Sequence, residues 1–284
     1  LLIKFFFRIP YVYDMDSSLV SQIKASHHYL GFLQPFFRFM EGLAIDHAIA
    51  VLPVCPALVE VANQYKPKHV ALMTDTSLLD PDKTPTPLKL RTELCLQGTV
   101  FMYIGNLEPY QGIDLLLEAF QIVHAKHEGA SSIIVVGGTT HQIESYLEKS
   151  RRLGIQSHVH FVGPRPMSLM AALFNEADVL VSPRCTGENT PMKIYSYLDS
   201  GKPLLATRLP THTQVLDDTA AKLADPTPDA FATAMLELID APDERSRLGE
   251  RGRRLVQEQF SVAAAGKRLE TLYAHIDSEL THAS

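Results

Sequence analysis

Five short apolar runs, 99–105, 132–138, 158–163, 178–183 and 202–207, constrain this chain more than any other feature. Each ends in glycine, proline or threonine, and an amphipathic stretch of helical period separates each from the next. Runs this apolar and this short suit strands buried on both faces, which is the condition of a parallel sheet. Parallel neighbours need a crossover, and the helical stretches at 112–127, 143–153 and 167–177 supply it. The pattern predicts an α/β fold with a doubly wound sheet. Further helices are expected over 231–239, 244–259 and 263–276.

The first third repeats the alternation less completely. A strand is expected at 10–14, helical structure over 17–41 with a break near Pro35, a strand at 48–52, a helix over 56–65 and a strand at 69–73. Residues 80–97, with Asp80-Pro81-Asp82, Pro85 and Pro87, read as a linker. The chain has no initiator Met and opens on an apolar strand-like segment at 1–7, so residues upstream of Leu1 are expected.

A net charge of -6 over 284 residues argues against a nucleic-acid binder, which needs a basic face. The three cysteines, Cys55, Cys95 and Cys185, are far apart and suit a reducing, cytoplasmic setting. No transmembrane span is evident, because Pro53, Pro56 and Glu60 interrupt the apolar run at 48–62.

The richest local signal is Gly187-Glu188-Asn189-Thr190-Pro191-Met192-Lys193, running into a short helix and then Ser200-Gly201-Lys202-Pro203. A helix start after Thr190 presents free N–H groups suited to a diphosphate. Glu188 stands just ahead of them, where a carboxylate accepts hydrogen bonds from sugar hydroxyls. Arg184 and Lys193 flank the same stretch. The competing reading makes Glu188, Asn189, Thr190 and Pro191 an ordinary helix start with its caps, and the two cations surface residues.

These residues resemble retaining glycosyltransferases of the GT-B type, the large family-four group that uses nucleotide sugars. The resemblance is carried by 103–114, by 159–163, by 188–196 and by 200–207. It implies one complete Rossmann-like donor domain over 98–260 and a partial amino-terminal, acceptor-side Rossmann-like domain over 1–85. A linker at 86–97 and a C-terminal helix at 261–284 crossing back to the first domain complete the expected organisation. The implied activity is transfer of a hexose-type sugar, with retention, from a nucleotide-diphosphate donor in the interdomain cleft to a glycan or lipid-linked acceptor, without a metal or cofactor. Glu188 is the implied catalytic residue. Gly105, Asn106, Gln111, Gly112, Arg184, Asn189, Thr190, Pro191, Lys193 and Ser196 are the implied donor-binding set, with Asp16 as an acceptor-side candidate.

The chain departs from the family pattern at three positions. Asn106 stands where a basic residue is usual, Gln111 where a lysine is usual, and Ser196 where a second glutamate grips ribose. Each lost charge-assisted hydrogen bond costs roughly 1.5–3 kcal/mol of donor affinity. Two rival functions follow: a non-catalytic GT-B-like binding module, or a sugar-nucleotide epimerase. Ser196 reads equally as a ribose contact or a neutral helix-surface residue, and Gly137-Gly138 as a plain turn. Asp14-Met15-Asp16, Asp80-Pro81-Asp82, His27-His28 and His158/His160 read as non-metal features, and His212 as a pocket-edge candidate. Phe32, Phe36, Phe37, Phe39, Met40 and Leu43 read as core, or as packing against residues outside the chain. The alternative is a peripheral membrane patch facing a lipid-linked acceptor.

Overall fold

A computed structural model describes residues 9–20, 23, 32–80, 84–127, 129 and 131–282. The expected strand at 1–7, the pair His27-His28 and most of Asp80-Pro81-Asp82 lie outside the described residues. The chain divides into two compact units, one of residues 1–75 with 260–284, the other of 76–259.

The second unit is a six-stranded parallel sheet. Its strands are β3 (Thr99–Ile104), β4 (Ser131–Val136), β5 (Val159–Gly163), β6 (Val179–Ser182), β7 (Leu204–Thr207) and β8 (Lys222–Ala224). They lie in the order β5-β4-β3-β6-β7-β8, all parallel. This is the doubly wound order, and it reverses direction between β3 and β6. Side chains alternate as the pleat requires. Phe101 and Tyr103, Ile133 and Val135, and Val179 and Val181 join one core with the Ile113–Lys126 and Pro228–Asp240 helices. Val100, Met102, Ile134 and Leu180 are equally buried but face the other way. The Met170–Glu176 and Lys193–Asp199 helices meet through an edge-on contact of Phe174 with Tyr197. Gly249 and Gly252 of the Pro242–Leu255 helix fit against Gly201 and Leu198.

The first unit has a parallel pair, β1 (Val12–Met15) and β2 (Ala50–Pro53), with Tyr13 opposite Val51. The Gln34–Asp46 and Pro56–Asn63 helices pack Ile45, Leu58 and Ala62 around Met15 and Val51. On the opposite face of β2, Ala50 and Leu52 meet Leu272 and Ile276 of the Val262–His282 helix.

Several local expectations change. Residues 69–73 form a single bridge, Val70 to Val51, although Ala71 and Met73 still donate to β2 carbonyls at 3.0 and 2.9 Å. Pro35 lies in the first turn of the Gln34–Asp46 helix, which runs past the expected end at residue 41. Residues 90–93, inside the expected linker, are a helical turn held by the Arg91–Asp178 ion pair at 2.7 Å. The aromatic stretch is not core. Phe32, Phe36 and Phe39 are exposed, and Phe37 and Leu43 are only partly buried. No described helix is long and apolar enough to cross a membrane.

Candidate functional site

At the carboxyl ends of β3, β4 and β5, beside the reversal in strand order, the second unit holds a cavity of about 440 Å³. Ligands of open α/β sheets bind at this place, because strand order reverses there and adjacent loops part. Gly105 and Asn106 follow β3, Gly137 and Gly138 follow β4, and Pro164–Met167 follow β5; Lys193, Ser196 and Tyr197 enter from the helix after β6. Among the described residues, no Asp or Glu lines this cavity.

Lys193 is its electrostatic centre. Nζ donates to Tyr103 Oη at 2.9 Å and to Gln111 Oε1 at 3.1 Å, and it lies 4.1 Å from the centroid of the Tyr103 ring. All of these partners are neutral. Burial, with a second contribution from the Arg184 charge, lowers the Lys193 ammonium from its usual range to about 7. Arg184 donates to the carbonyls of Thr186 and Asn189 and stacks 5.1 Å from the Tyr110 ring centroid. Two neighbouring cations with neutral partners make an anion-binding field.

Backbone geometry opens the space beside Lys193. Gly105 has φ +156°, and a Cβ there would fall 2.6 Å from Lys193 Nζ. A Cβ on Gly137 would strike the Gly105 carbonyl oxygen, so the two glycine loops close on each other only without side chains. Tyr197 Oη donates to the Ile104 carbonyl at 3.1 Å and accepts from the Ile104 N–H at 2.8 Å, fixing the strand end.

The sequence-predicted residues divide into three groups. Gly105, Asn106, Lys193 and Ser196 line the cavity, and Gln111 reaches it through Lys193. Gly112 forms the left-handed start of the 113–126 helix against Pro183, outside the lining. Arg184, Glu188, Asn189, Thr190 and Pro191 belong to the adjoining loop. Glu188 is exposed, and its carbonyl oxygen accepts from Gln214 Nε2 at 2.9 Å. Thr190 is buried and its Oγ1 has no hydrogen-bond partner among the described residues.

Four details differ from expectation. The α-helix begins at Lys193, not Pro191, and its cap is Met192 with no side-chain bond, so Asn189 and Thr190 do not cap it. Ser196 is fully buried, not on the helix surface, and its Oγ accepts the Leu78 N–H at 3.0 Å. His212 lies inside the fold between Ser182 Oγ (2.9 Å) and the Thr207 carbonyl (2.8 Å), away from the cavity lining. Burial pushes it down to about 4. Gly137 and Gly138 line the cavity and are more than a turn. Sequence reasoning also missed Leu78, Arg165 and Met167, which line the same space. An arginine within a Pro-Arg-Pro turn directly after a strand was the available signal for Arg165.

Asp16 lies in the first unit at the end of β1, exposed, and its charge contributes to raising the Asp14 and Asp75 carboxyls, chiefly raised by burial.

The arrangement has known relatives. The family model described as glycosyl transferases group 1 matches residues 98–241. D-inositol 3-phosphate glycosyltransferase of Corynebacterium glutamicum (strain R) is 27% identical over 224 residues, 73% of this chain and 53% of that protein. The chain thus spans about half the length of the curated relatives it matches. Among solved structures, Anabaena Alr3699/HepE in complex with UDP superposes with a TM-score of 0.78 at 18% identity, over 96% of this chain and 74% of that one. Sucrose-phosphate synthase from Thermosynechococcus elongatus gives 0.74 at 20% identity, over 100% and 71%. These likenesses fix the fold as GT-B, and the family match extends over half of the chain. By its fold, its glycine loops and that match, the chain belongs to the glycosyl transferases group 1 family.

Proposed function

We propose that this chain carries the donor site of a retaining glycosyltransferase that moves a hexose-type sugar from a nucleoside diphosphate to a glycan or lipid-linked acceptor. The observation that carries the reading is Lys193, an acid-free cation beside two glycine loops at the point where strand order reverses. A departing diphosphate gains negative charge, and a pre-positioned ammonium and guanidinium meet it without reorganisation. Gly105 lets phosphate oxygens approach the backbone. The apolar lining from Leu78, Pro164, Met167 and Met170 suits the flat face of a base. Glu188 is assigned to the donor sugar, where its carboxylate accepts from hydroxyls and steadies positive charge at the anomeric carbon.

HepE is described in complex with UDP and with UDP-glucose, which supports a nucleotide-sugar donor here. The family resemblance supports retention.

Calorimetry of the chain with UDP-, GDP- and dTDP-sugars and with their parent diphosphates tests the assignment. One nucleotide class binds, and Glu188→Gln weakens the sugar nucleotide while leaving the bare diphosphate unchanged. One specific observation favours the non-catalytic reading: Ser196 Oγ is already engaged by Leu78, and Asn106 and Gln111 are neutral. Absence of binding at millimolar donor would select that reading over transfer.

A further inference from the structure

Far from the cavity in sequence, the first unit gathers three metal-binding side chains on one patch. His275 and Glu279 lie one turn apart on the Val262–His282 helix, and His69 comes from the segment that runs beside β2. One ligand atom from each lies within 4.8 Å of the other two. His69 Nε2 is 2.9 Å from Glu279 Oε2, and His275 Nε2 is 3.5 Å from Glu279 Oε1. The imidazoles meet edge to face, with centroids 4.8 Å apart at 88°.

Both supporting elements are registered to the same strand. The His69 carbonyl accepts the Val51 N–H at 2.9 Å, and the Ala71 N–H returns to the Val51 carbonyl at 3.0 Å. Leu272 and Ile276, which flank His275, are packed on Ala50 and Leu52. The helix therefore cannot rotate His275 away without uncovering apolar surface. Backbone hydrogen bonds hold one ligand and core packing holds the other two.

We infer that His69, His275 and Glu279 form a binding site for a borderline divalent transition metal, with zinc the best match, that clips the C-terminal helix to the 69–73 segment. Tetrahedral zinc with bonds of about 2.0–2.2 Å sets neighbouring ligand atoms roughly 3.3–3.6 Å apart. The imidazoles lie 2.9 and 3.5 Å from the two Glu279 oxygens, and the three ligand atoms fall within 4.8 Å of one another, so small side-chain rotations bring one atom of each to that spacing. Two imidazoles and one carboxylate suit zinc, nickel or cobalt and do not suit calcium or magnesium, which take oxygen-rich shells. Three protein ligands leave the fourth position to water, and the partial exposure of all three side chains gives the ion a path in. The site does not depend on the proposed transferase activity.

Calorimetry and thermal unfolding of the 284-residue chain with ZnCl2 test it. One equivalent of zinc binds and the melting temperature rises, while MgCl2 and CaCl2 do neither. His275→Ala and Glu279→Gln are placed on an exposed helix face where both replacements are good helix formers, so folding is retained. Each weakens zinc binding by at least the roughly 10–100-fold that a disturbed second shell costs. His158→Ala, in the other described pairing of imidazoles (His124 with His158), leaves zinc binding unchanged. Zinc affinity that survives both helix substitutions, that disappears with His158→Ala, or that is absent from the parent chain at millimolar ZnCl2 would overturn the assignment.

Discussion

Lys149 and Lys193 are two partly sheltered lysines in one unit, and they are treated in opposite ways. Lys149, on the Thr140–Arg152 helix, donates to Asp114 and Glu118 at 2.6 Å each. Burial alone lowers its pKa, but those two carboxylates outweigh burial, and the net shift is upward. Lys193 has a phenol and an amide for partners, a cationic neighbour in Arg184, and a pKa pushed down to about 7. A fold that needed only stability would give Lys193 an acid or replace it, since an unpaired sheltered charge is costly. Lys149 is thus a structural cation whose counter-ions are built in. Under the proposed function, Lys193 is a cation whose counter-ion arrives with a ligand.

The sharpest way to break this comparison is to remove the Lys193 charge. Lys193→Met is expected to weaken nucleoside-diphosphate binding on the order of 10- to 100-fold, the value of one charge-assisted hydrogen bond of about 1.5–3 kcal/mol. Thermal unfolding of the free variant should show stability held or raised, because a desolvated charge has been replaced by an apolar chain of similar length. Unchanged diphosphate affinity by calorimetry would remove Lys193 from the site and the contrast with it.

How much of this was visible beforehand depends on distance along the chain. The apolar runs announce β3 to β7 because each is short, continuous and bounded by turn residues. β8 is three residues, Lys222–Ala224, too brief to carry a period, and it forms only because β7 offers it an edge. Gly105 and Lys193 were legible as types suited to phosphate. Their juxtaposition was not, since Lys193 meets Tyr103 and Gln111 across 90 and 82 residues. Ser196 read equally as a ribose contact or a helix-surface residue, because its helix is short and polar at both ends. Its Oγ is instead met by the Leu78 N–H, 118 residues earlier. His69 and Glu279 are separated by 210 residues, so no spacing rule links them.

A second test uses pH, where the two lysines predict different slopes. Lys193 is depressed on folding, so above about 7 the folded chain has lost a proton that the unfolded chain keeps up to its ordinary 10.5. The unfolded state then binds more protons, and stability rises with pH between about 7 and 10.5. Diphosphate binding runs the other way, because the anion needs the protonated ammonium, and affinity falls as pH climbs through 7. Lys149 is raised above the same ordinary value, so its contribution is fully present below 10.5 and adds no slope in that window. Denaturant titrations at pH 6.5, 7.5 and 8.5 (values chosen to straddle about 7) on the parent and Lys193→Met should show a clearly steeper rise in the parent, beyond the small rise near pH 6.5 that both share from the depressed His212. Equal slopes in both would mean that the Lys193 charge is not held at the cost inferred here.

The smallest effect is expected from Lys149→Met, and it completes the contrast. Asp114 and Glu118 are about half exposed, so each gains only modestly from the ammonium, and water replaces part of what is lost. The destabilisation should be about 1 kcal/mol or less, and it should shrink further in high salt. Tyr146 Oη also reaches Asp114, at 3.2 Å, and keeps one end of the network in place. Because this network lies outside the lining of the cavity, diphosphate affinity should match the parent by calorimetry. A loss of binding comparable to that of Lys193→Met would show that the site depends on charge spread over the whole unit. The distinction between a lysine that holds the fold and a lysine that waits for an anion would then fail.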